Sequence, residues 1–457
     1  MTAALTLAER GFEVTLIERN TFLGGKLGSW PVSFPDGTTF QVEHGFHAFF
    51  RSYYNLRVLF EKIGADRHYR DVGDYVILPL DKRVRSFRGV ASTPLINLFS
   101  LSRNGFYRLR DMPWGPKALK LLDIVRYDET RTFAEYDNMS FEAFARKTML
   151  PRDLELAFKT FSRAFFSEED RVSMAELIKG FHFYYLSQDH GLIYDYIDGD
   201  YDRVINQPLR QRMEQSGTRI LLGQEVDRIE RRGDGFAILG EEYAAVVLAS
   251  DVLGTRRIAA ASSFIRDERP ALHDELDRLR AGQRYAVLRI WTDRPFDHDL
   301  PIFIFCEREK VLDSITTYHR TEAESAAWAA ENNGSVIELH GYAIPDGMTD
   351  AAEIRQQLLS EFEAYFPAMR GATIRYEHLQ LREDFTAFHV GMHRHRPSYE
   401  TGIPGFYLAG DWVRLPHPAM LMEAACMSGL LCANALFQRE GLREEAIFSV
   451  PGKGIFA

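Results

Sequence analysis

Hydrophobic positions at the start of the chain follow a helical spacing from Thr2 to Arg10, stop at Gly11, and resume as a buried strand from Phe12 to Ile17 that ends in Glu18. Helix followed by buried strand is the second half of a βαβ nucleotide-binding unit. In such a unit a first strand and its G-x-G-x-x-G turn precede the helix, and here only Met1 precedes it. Further on, alternation over residues 31–42 about Pro35-Asp36-Gly37 predicts a hairpin, and a helix follows at about Tyr53 to Ile63. From 85 to 200 the pattern is mostly helical and dense in aromatics, notably Phe181-His182-Phe183-Tyr184-Tyr185, and reads as an inserted, apolar-lined domain.

Strand patterns return at Arg219 to Glu225, Val226 to Arg231 and Ala244 to Ala249, and again across Tyr285 to Tyr342, with helices near 322–331 and 350–366. The chain closes with a buried strand, Gly405 to Gly410, and a helix from about Ala419 to Phe437. The order predicts an α/β (α+β) fold with interleaved domains: a discontinuous nucleotide-binding domain from 1–84, 201–275 and 400–440, a mostly helical domain at 85–200, and a mixed-sheet domain at 276–399.

Composition narrows the function. At 457 residues and 46% hydrophobic the chain can bury a large core, and a net charge of −10 argues against nucleic acid as a partner. Cys306, Cys426 and Cys432 are too few for a disulfide framework or a zinc site, which fits a reducing, cytoplasmic setting. The longest apolar stretch, Pro418 to Ala433, is interrupted by Glu423 and too short to span a bilayer, so any membrane contact is expected to be peripheral. One local asymmetry stands out: Lys82 to Arg126 carries ten Lys/Arg against Asp111 and Asp123, +8 against −18 elsewhere, interleaved with Phe99, Phe106, Tyr107 and Trp114. Such a stretch either docks on anionic lipid headgroups or forms a solvated face with its Arg and Lys stems lying along apolar surface.

Three segments carry cofactor chemistry. Glu18, at the tip of its strand, stands where a dinucleotide fold places a carboxylate for the adenosine ribose. Beyond it lies Leu23-Gly24-Gly25-Lys26, where paired glycines admit a close backbone approach and the cation can meet a pyrophosphate. Then Gly410-Asp411 ends a buried strand ahead of a helix containing Met422-Glu423-Ala424-Ala425; the aspartate can bind ribityl hydroxyls, and the helix N-terminus offers partial positive charge.

Together these segments resemble the FAD-binding framework of the amine-oxidase and carotenoid-desaturase superfamily, a Rossmann-like fold of the glutathione-reductase-2 type, over nearly the whole chain. The resemblance implies FAD as cofactor, with Glu18, Gly24, Gly25, Lys26, Val226, Gly410, Asp411 and Met422 around it and, less directly, Asp251. Within the superfamily, Glu43-His44-Gly45-Phe46-His47-Ala48-Phe49-Phe50, Phe161-Ser162-Arg163-Ala164-Phe165-Phe166 and Gly410-Asp411-Trp412 through Pro416-His417-Pro418 resemble the plant-type desaturase branch and most of all the isorenieratene-synthase group of β-carotene desaturase/methyltransferases.

That resemblance implies oxidation of a β-ionone ring with migration of one methyl group, through hydride loss, a carbocation and proton loss to a base. Glu423, an acid inside an apolar helix, is the expected charge-stabilising residue, and His47 the expected proton acceptor; a satisfied internal carboxylate and a core histidine are the respective alternatives. No metal site is expected, and the Met392-His393-Arg394-His395-Arg396 run reads as a solvated or flavin-edge loop. Alternatives are an acyclic carotene desaturase or isomerase, a flavin amine oxidase, and a non-catalytic carotenoid-binding chain. The expected partners are a carotenoid and a membrane surface; no motif identifies the electron acceptor. The absent G-x-G-x-x-G segment is expected just upstream of Met1.

Overall fold

The computed structural model describes every residue except 114, 297 and 298, and the side chains of all the others except 116–118. Trp114 and the Lys117 side chain of the basic stretch therefore lie outside the described residues. Two parallel strand pairs form the nucleotide-binding half. Thr15–Glu18 pairs with Arg219–Leu222, Glu18 opposite Leu222, and Val246–Leu248 pairs with Phe406–Leu408. Strands paired in parallel from distant parts of the chain leave their carboxyl ends on one edge, where open α/β folds bind ligands.

The long helix Leu421–Arg439 packs behind both pairs. Its Gly429 lets helix Thr2–Ala8 approach so closely that a Cβ there would lie 3.0 Å from the Thr2 side chain. Ser428 Oγ accepts a hydrogen bond from Gly410 N at 2.9 Å, and Cys432 Sγ donates to Leu408 O at 3.3 Å. This helix is longer than the broken apolar stretch expected. By length and composition it could cross a membrane, but 67% of its apolar window is buried within the protein.

The other half is a seven-stranded sheet ordered Ile374–Arg382, Tyr285–Thr292, Ser335–Gly341, Ser314–Thr317, Phe303–Cys306, Val76–Leu78, Arg85–Ser86. All eight residues of Tyr285–Thr292 are buried, because neighbours flank both edges and helix Ala351–Tyr365 covers one face with Ile354, Leu358 and Phe362. The boundary expected at 84 falls earlier: Val76, Ile77 and Leu78 are buried and pair in parallel with Phe303–Cys306, so the chain enters this sheet before leaving the first nucleotide-binding segment.

Helices fill most of 85–200, several with side-chain caps, as where Asp128 accepts from Arg131 N and Ser140 from Ala143 N. The segment is not helical to its end, since Tyr194–Ile197 joins a small antiparallel sheet with Phe49–Phe50 and Tyr69–Asp71. The hairpin Ser29–Ser33/Thr39–Glu43 forms as its pattern predicts. The strand expected from Val226 is shorter, at Glu230–Arg232. Gly223, at φ +67°, turns the chain while its N–H donates to Asn20 O, so 224–229 follow the end of the first strand without forming a ladder.

Candidate functional site

Glu18, Gly24, Lys26, Gly410 and Asp411 meet at the carboxyl edge of the parallel strands. Glu18 Oε1 accepts from Asn20 N at 2.8 Å, and Gln224 N donates to Glu18 O, fixing the strand tip. Arg19 reaches Asp251 at 3.3 Å and Trp412 Nε1 donates to Ser250 O at 3.0 Å, so both parallel pairs are tied at the same edge. Asp251 itself caps helix Val252–Ala261 by accepting from Gly254 N at 2.7 Å. Val226 is half-buried and packs, as Ile17 does, against the cluster that holds Trp412 and Val252.

The turn after Glu18 has a steric reason for each glycine. Gly24 sits at φ +105°, and a Cβ there would lie 2.6 Å from the Asn206 side chain and 2.8 Å from Leu27 O. Gly25, at φ +57°, faces open space within 4 Å, so a ligand can approach the backbone. Lys26 Nζ meets Asp411 Oδ2 at 2.9 Å and lies over the Phe385 ring, while Thr386 Oγ1 donates to Asp411 Oδ1 at 3.0 Å. An ammonium, two carboxylates, a hydroxyl and a glycine turn at one strand edge fit a dinucleotide: hydroxyls for the acids, a pyrophosphate for the cation. Met422, in the first turn of Leu421–Arg439, packs on the hydrophobic core that holds Phe49 and Leu5, next to Leu421, whose φ of +50° is uncommon for a side chain of its size.

The two acid–base residues expected from the sequence sit in different surroundings. Glu423 is 1% exposed and takes three hydrogen bonds from the start of helix Tyr54–Ile63: Oε1 from Asn55 N at 2.9 Å and Asn55 Nδ2 at 2.5 Å, Oε2 from Leu56 N at 3.0 Å. Burial raises its pKa to about 7 despite those donors. His47 is half-buried, its Nδ1 2.7 Å from Gly45 O and its backbone N–H on Tyr201 Oη at 3.2 Å. Desolvation lowers its pKa to about 4, so the ring is neutral at pH 7.

Sequence reasoning missed two polar clusters around that loop. Arg289, in the middle of the buried strand, is 1% exposed and pairs with Glu43 at 2.5 Å and Glu338 at 2.9 Å, while His340 Nε2 lies 3.1 Å from Glu338. Burial works against both acids, yet Arg289 and His340 hold Glu338 down to about 2, whereas burial drives Glu43 well up. Glu43 also faces Glu322 and Asp200, the three carboxylates offering oxygens within 4.8 Å of one another. The second cluster is His44, Tyr285 and Asp384. Tyr285 Oη lies 2.7 Å from His44 Nε2 and donates to Asp384 Oδ1 at 2.6 Å. The first cluster had a legible signal: a lone arginine in Ala286-Val287-Leu288-Arg289-Ile290-Trp291 needs a buried acid.

Of the two expectations for the His393–His395 turn, a solvated or a flavin-edge loop, the structure does not bear out the solvated one. His393 stacks on Phe133 at 3.5 Å, and the buried Arg396 pairs with Glu176 at 2.8 Å, because this turn packs against helix Met174–Phe181. Phe183 and Tyr184 are core residues, whereas Phe181 and Tyr185 are half-buried, Phe181 just before and Tyr185 within a π-helical turn, His182–Leu186.

Parallel strand pairs ending in Glu18 and a Gly-Asp turn, with a second, mixed-sheet domain facing them, fit the class of FAD-dependent oxidoreductases. Residues 1–437 match the family of flavin containing amine oxidoreductases, and the chain belongs to it. Carotenoid phi-ring synthase of Streptomyces griseus is 35% identical over 99% of this chain and 88% of its own length. The phi-ring synthase of Chlorobaculum tepidum is 28% identical over 100% of the chain and 90% of its length, and zeta-carotene desaturase of Synechocystis 23% over 98% and 97%. Among solved structures, cyclohexylamine oxidase from Brevibacterium oxydans superposes with a TM-score of 0.67 at 14% identity, covering 96% of this chain and 97% of that one, a likeness of fold.

Proposed function

We propose that the protein is a carotenoid ring desaturase/methyltransferase that converts the β-ionone ring of a β-carotene-like substrate to an aromatic end group. The observation that carries this reading is the 35% identity to a carotenoid phi-ring synthase over 99% of the chain. The residues around the loop Glu43–His47 suit the chemistry. Phe50, Tyr53, Tyr184 and Tyr194 present rings to one another at 4.4 to 6.2 Å, and aromatic faces of this kind stabilise a ring carbocation without offering it a nucleophile.

FAD, when bound, supplies the hydride acceptor. Glu18 and Asp411 would hold its ribose and ribityl hydroxyls and Lys26 its pyrophosphate, Gly24 and Gly25 would allow the close approach, and Val226 and Met422 would bound the pocket. The proton lost from the ring goes to the loop carrying His44 and His47, both of which burial keeps neutral. Glu423 acts through the helix whose first turn it holds, as a positioning residue.

Membrane access to a carotenoid is assigned to the basic stretch. Leu80, Val84, Ile96, Phe99, Leu109 and Leu119 are exposed there, Phe99 to 66%, among the exposed Arg83, Arg88 and Arg110. Phe106 and Tyr107 are buried against Ile77 and take no part.

The test is product mass. FAD-loaded protein given β-carotene in phosphatidylglycerol-containing liposomes should yield rings four hydrogens lighter with aromatic proton resonances. Desaturation of phytoene or ζ-carotene with untouched β-carotene would instead favour the acyclic reading that the 23% identity to zeta-carotene desaturase suggests.

A further inference from the structure

We propose that His44, oriented by Tyr285 and Asp384, is the base that takes the proton from the ring cation, through its Nδ1. This inference rests on the ring-aromatising reading above.

The hydrogen-bond network assigns the tautomer. Tyr285 gives its proton to Asp384 Oδ1 at 2.6 Å, so its oxygen can only accept from His44 Nε2 at 2.7 Å. Asp384 Oδ2, at 3.4 Å from the same nitrogen, accepts as well. Nε2 thus carries the hydrogen and Nδ1 the lone pair. Among the described residues Nδ1 has no hydrogen-bond partner, and the side chain keeps 8% of its surface open. A base held by an orienting carboxylate on one nitrogen and open on the other is the arrangement general-base catalysis requires.

Position agrees. Asp384 stands two residues before Thr386, whose hydroxyl donates to Asp411, and Phe166 covers both Tyr285 and Phe385 with ring centroids at 4.6 and 4.0 Å. The relay therefore adjoins the cofactor edge on the side of the substrate sheet. The loop itself is anchored from that sheet: Phe46 N donates to Glu338 Oε1 at 3.0 Å, and Gln380 Nε2 to Glu43 O at 2.8 Å.

His44 is favoured over its neighbour for an electrostatic reason. The charges facing it are Asp384 and Arg382 from the end of strand Ile374–Arg382, Lys26 from the glycine turn and His47 from its own loop, with Tyr285 across. Asp384 stays ionised, because His44 and Tyr285 outweigh its burial, and so stabilises an imidazolium at His44. His47 has only the Gly45 carbonyl on its Nδ1, so protonation there would create a buried cation with no bonded carboxylate.

In the step, the C–H bond beside the cationic carbon breaks, its electron pair becomes the ring π bond, and the proton passes to His44 Nδ1. The imidazolium then releases it to solvent.

The experiment uses the FAD-loaded enzyme with β-carotene and the variants His44→Gln, Asp384→Asn and Tyr285→Phe. His44→Gln should retain flavin reduction by substrate within a few-fold but lose aromatic product about 100-fold, a typical general-base contribution. The wild-type rate of aromatisation should fall toward low pH, and Asp384→Asn should move that limb to lower pH, since removing the carboxylate weakens the base. Tyr285→Phe, nearly isosteric, gives the same reading if His44→Gln loses its flavin: a slower aromatisation with a displaced limb. Product within threefold of wild type in His44→Gln, or an unmoved limb in both other variants, would overturn the assignment. A wild-type enzyme that leaves β-carotene rings intact would instead overturn the underlying reading.

Discussion

Removing the Glu423 carboxylate separates a structural role from a chemical one. Glu423→Ala strands Asn55 N and Leu56 N and takes one acceptor from Asn55 Nδ2, which keeps Phe448 O at 2.7 Å, at a site where Asn55 is 2% exposed. At about 1–3 kcal/mol for each unsatisfied buried group, partly relieved by water entering the space, the loss is about 3–5 kcal/mol. Part of it depends on pH. Burial raises this carboxyl from 4.5 to about 7, which at about 1.4 kcal/mol per tenfold change in proton affinity makes about 3 kcal/mol. Because the folded-state value lies above the unfolded one, this share of stability is complete below about pH 4.5 and is lost as the pH rises through 7. The alanine variant lacks that slope, so its deficit should be largest near pH 5 and shrink by about 3 kcal/mol toward pH 8. Urea unfolding of wild type and variant at matched FAD loading, followed by tryptophan fluorescence at pH 5, 6, 7 and 8, measures the difference. A deficit that does not change with pH would refute the burial argument. A variant as stable as wild type but without turnover would move Glu423 from scaffold to chemistry.

Gly24→Ala places a Cβ 2.6 Å from the Asn206 side chain at φ +105°; flavin absorbance should be lost on gel filtration, with stability down by about 2 kcal/mol or more. Full flavin retention would show that the turn has room to shift. Arg289→Met leaves Glu338 charged and buried without its partner and should cost about 3–5 kcal/mol, whereas adding Glu338→Gln should recover part of that loss. Thermal melts of the single and double variants check this, and additive effects would argue against a coupled pair.

How much of this was legible in the chain depends on the range of the interaction. The pattern alone locates the first helix and strand, the hairpin about Pro35-Asp36-Gly37, the helices near 322–331 and 350–366, which form at Ala323–Asn332 and Ala351–Tyr365, and the closing strand and helix, because periodicity and turn chemistry act between near neighbours in sequence. It also marks Glu18, Gly24-Gly25-Lys26 and Gly410-Asp411, since a strand tip and a glycine turn have local signatures. The early entry of Val76–Leu78 into the substrate sheet, and the irregular backbone at Val226, depend on strands contributed from far along the chain.

Glu423 shows the limit most clearly. Its sequence context reveals an expensive buried acid, but only the packing of helix Leu421–Arg439 against the start of Tyr54–Ile63 supplies the three donors that explain it. His44 and His47 are three residues apart in one motif and look equivalent in sequence. Tertiary structure distinguishes them by bringing Tyr285 and Asp384 to one and a backbone carbonyl to the other. A side chain's charge state is set by every group within a few ångströms, and those groups arrive from strands hundreds of residues away.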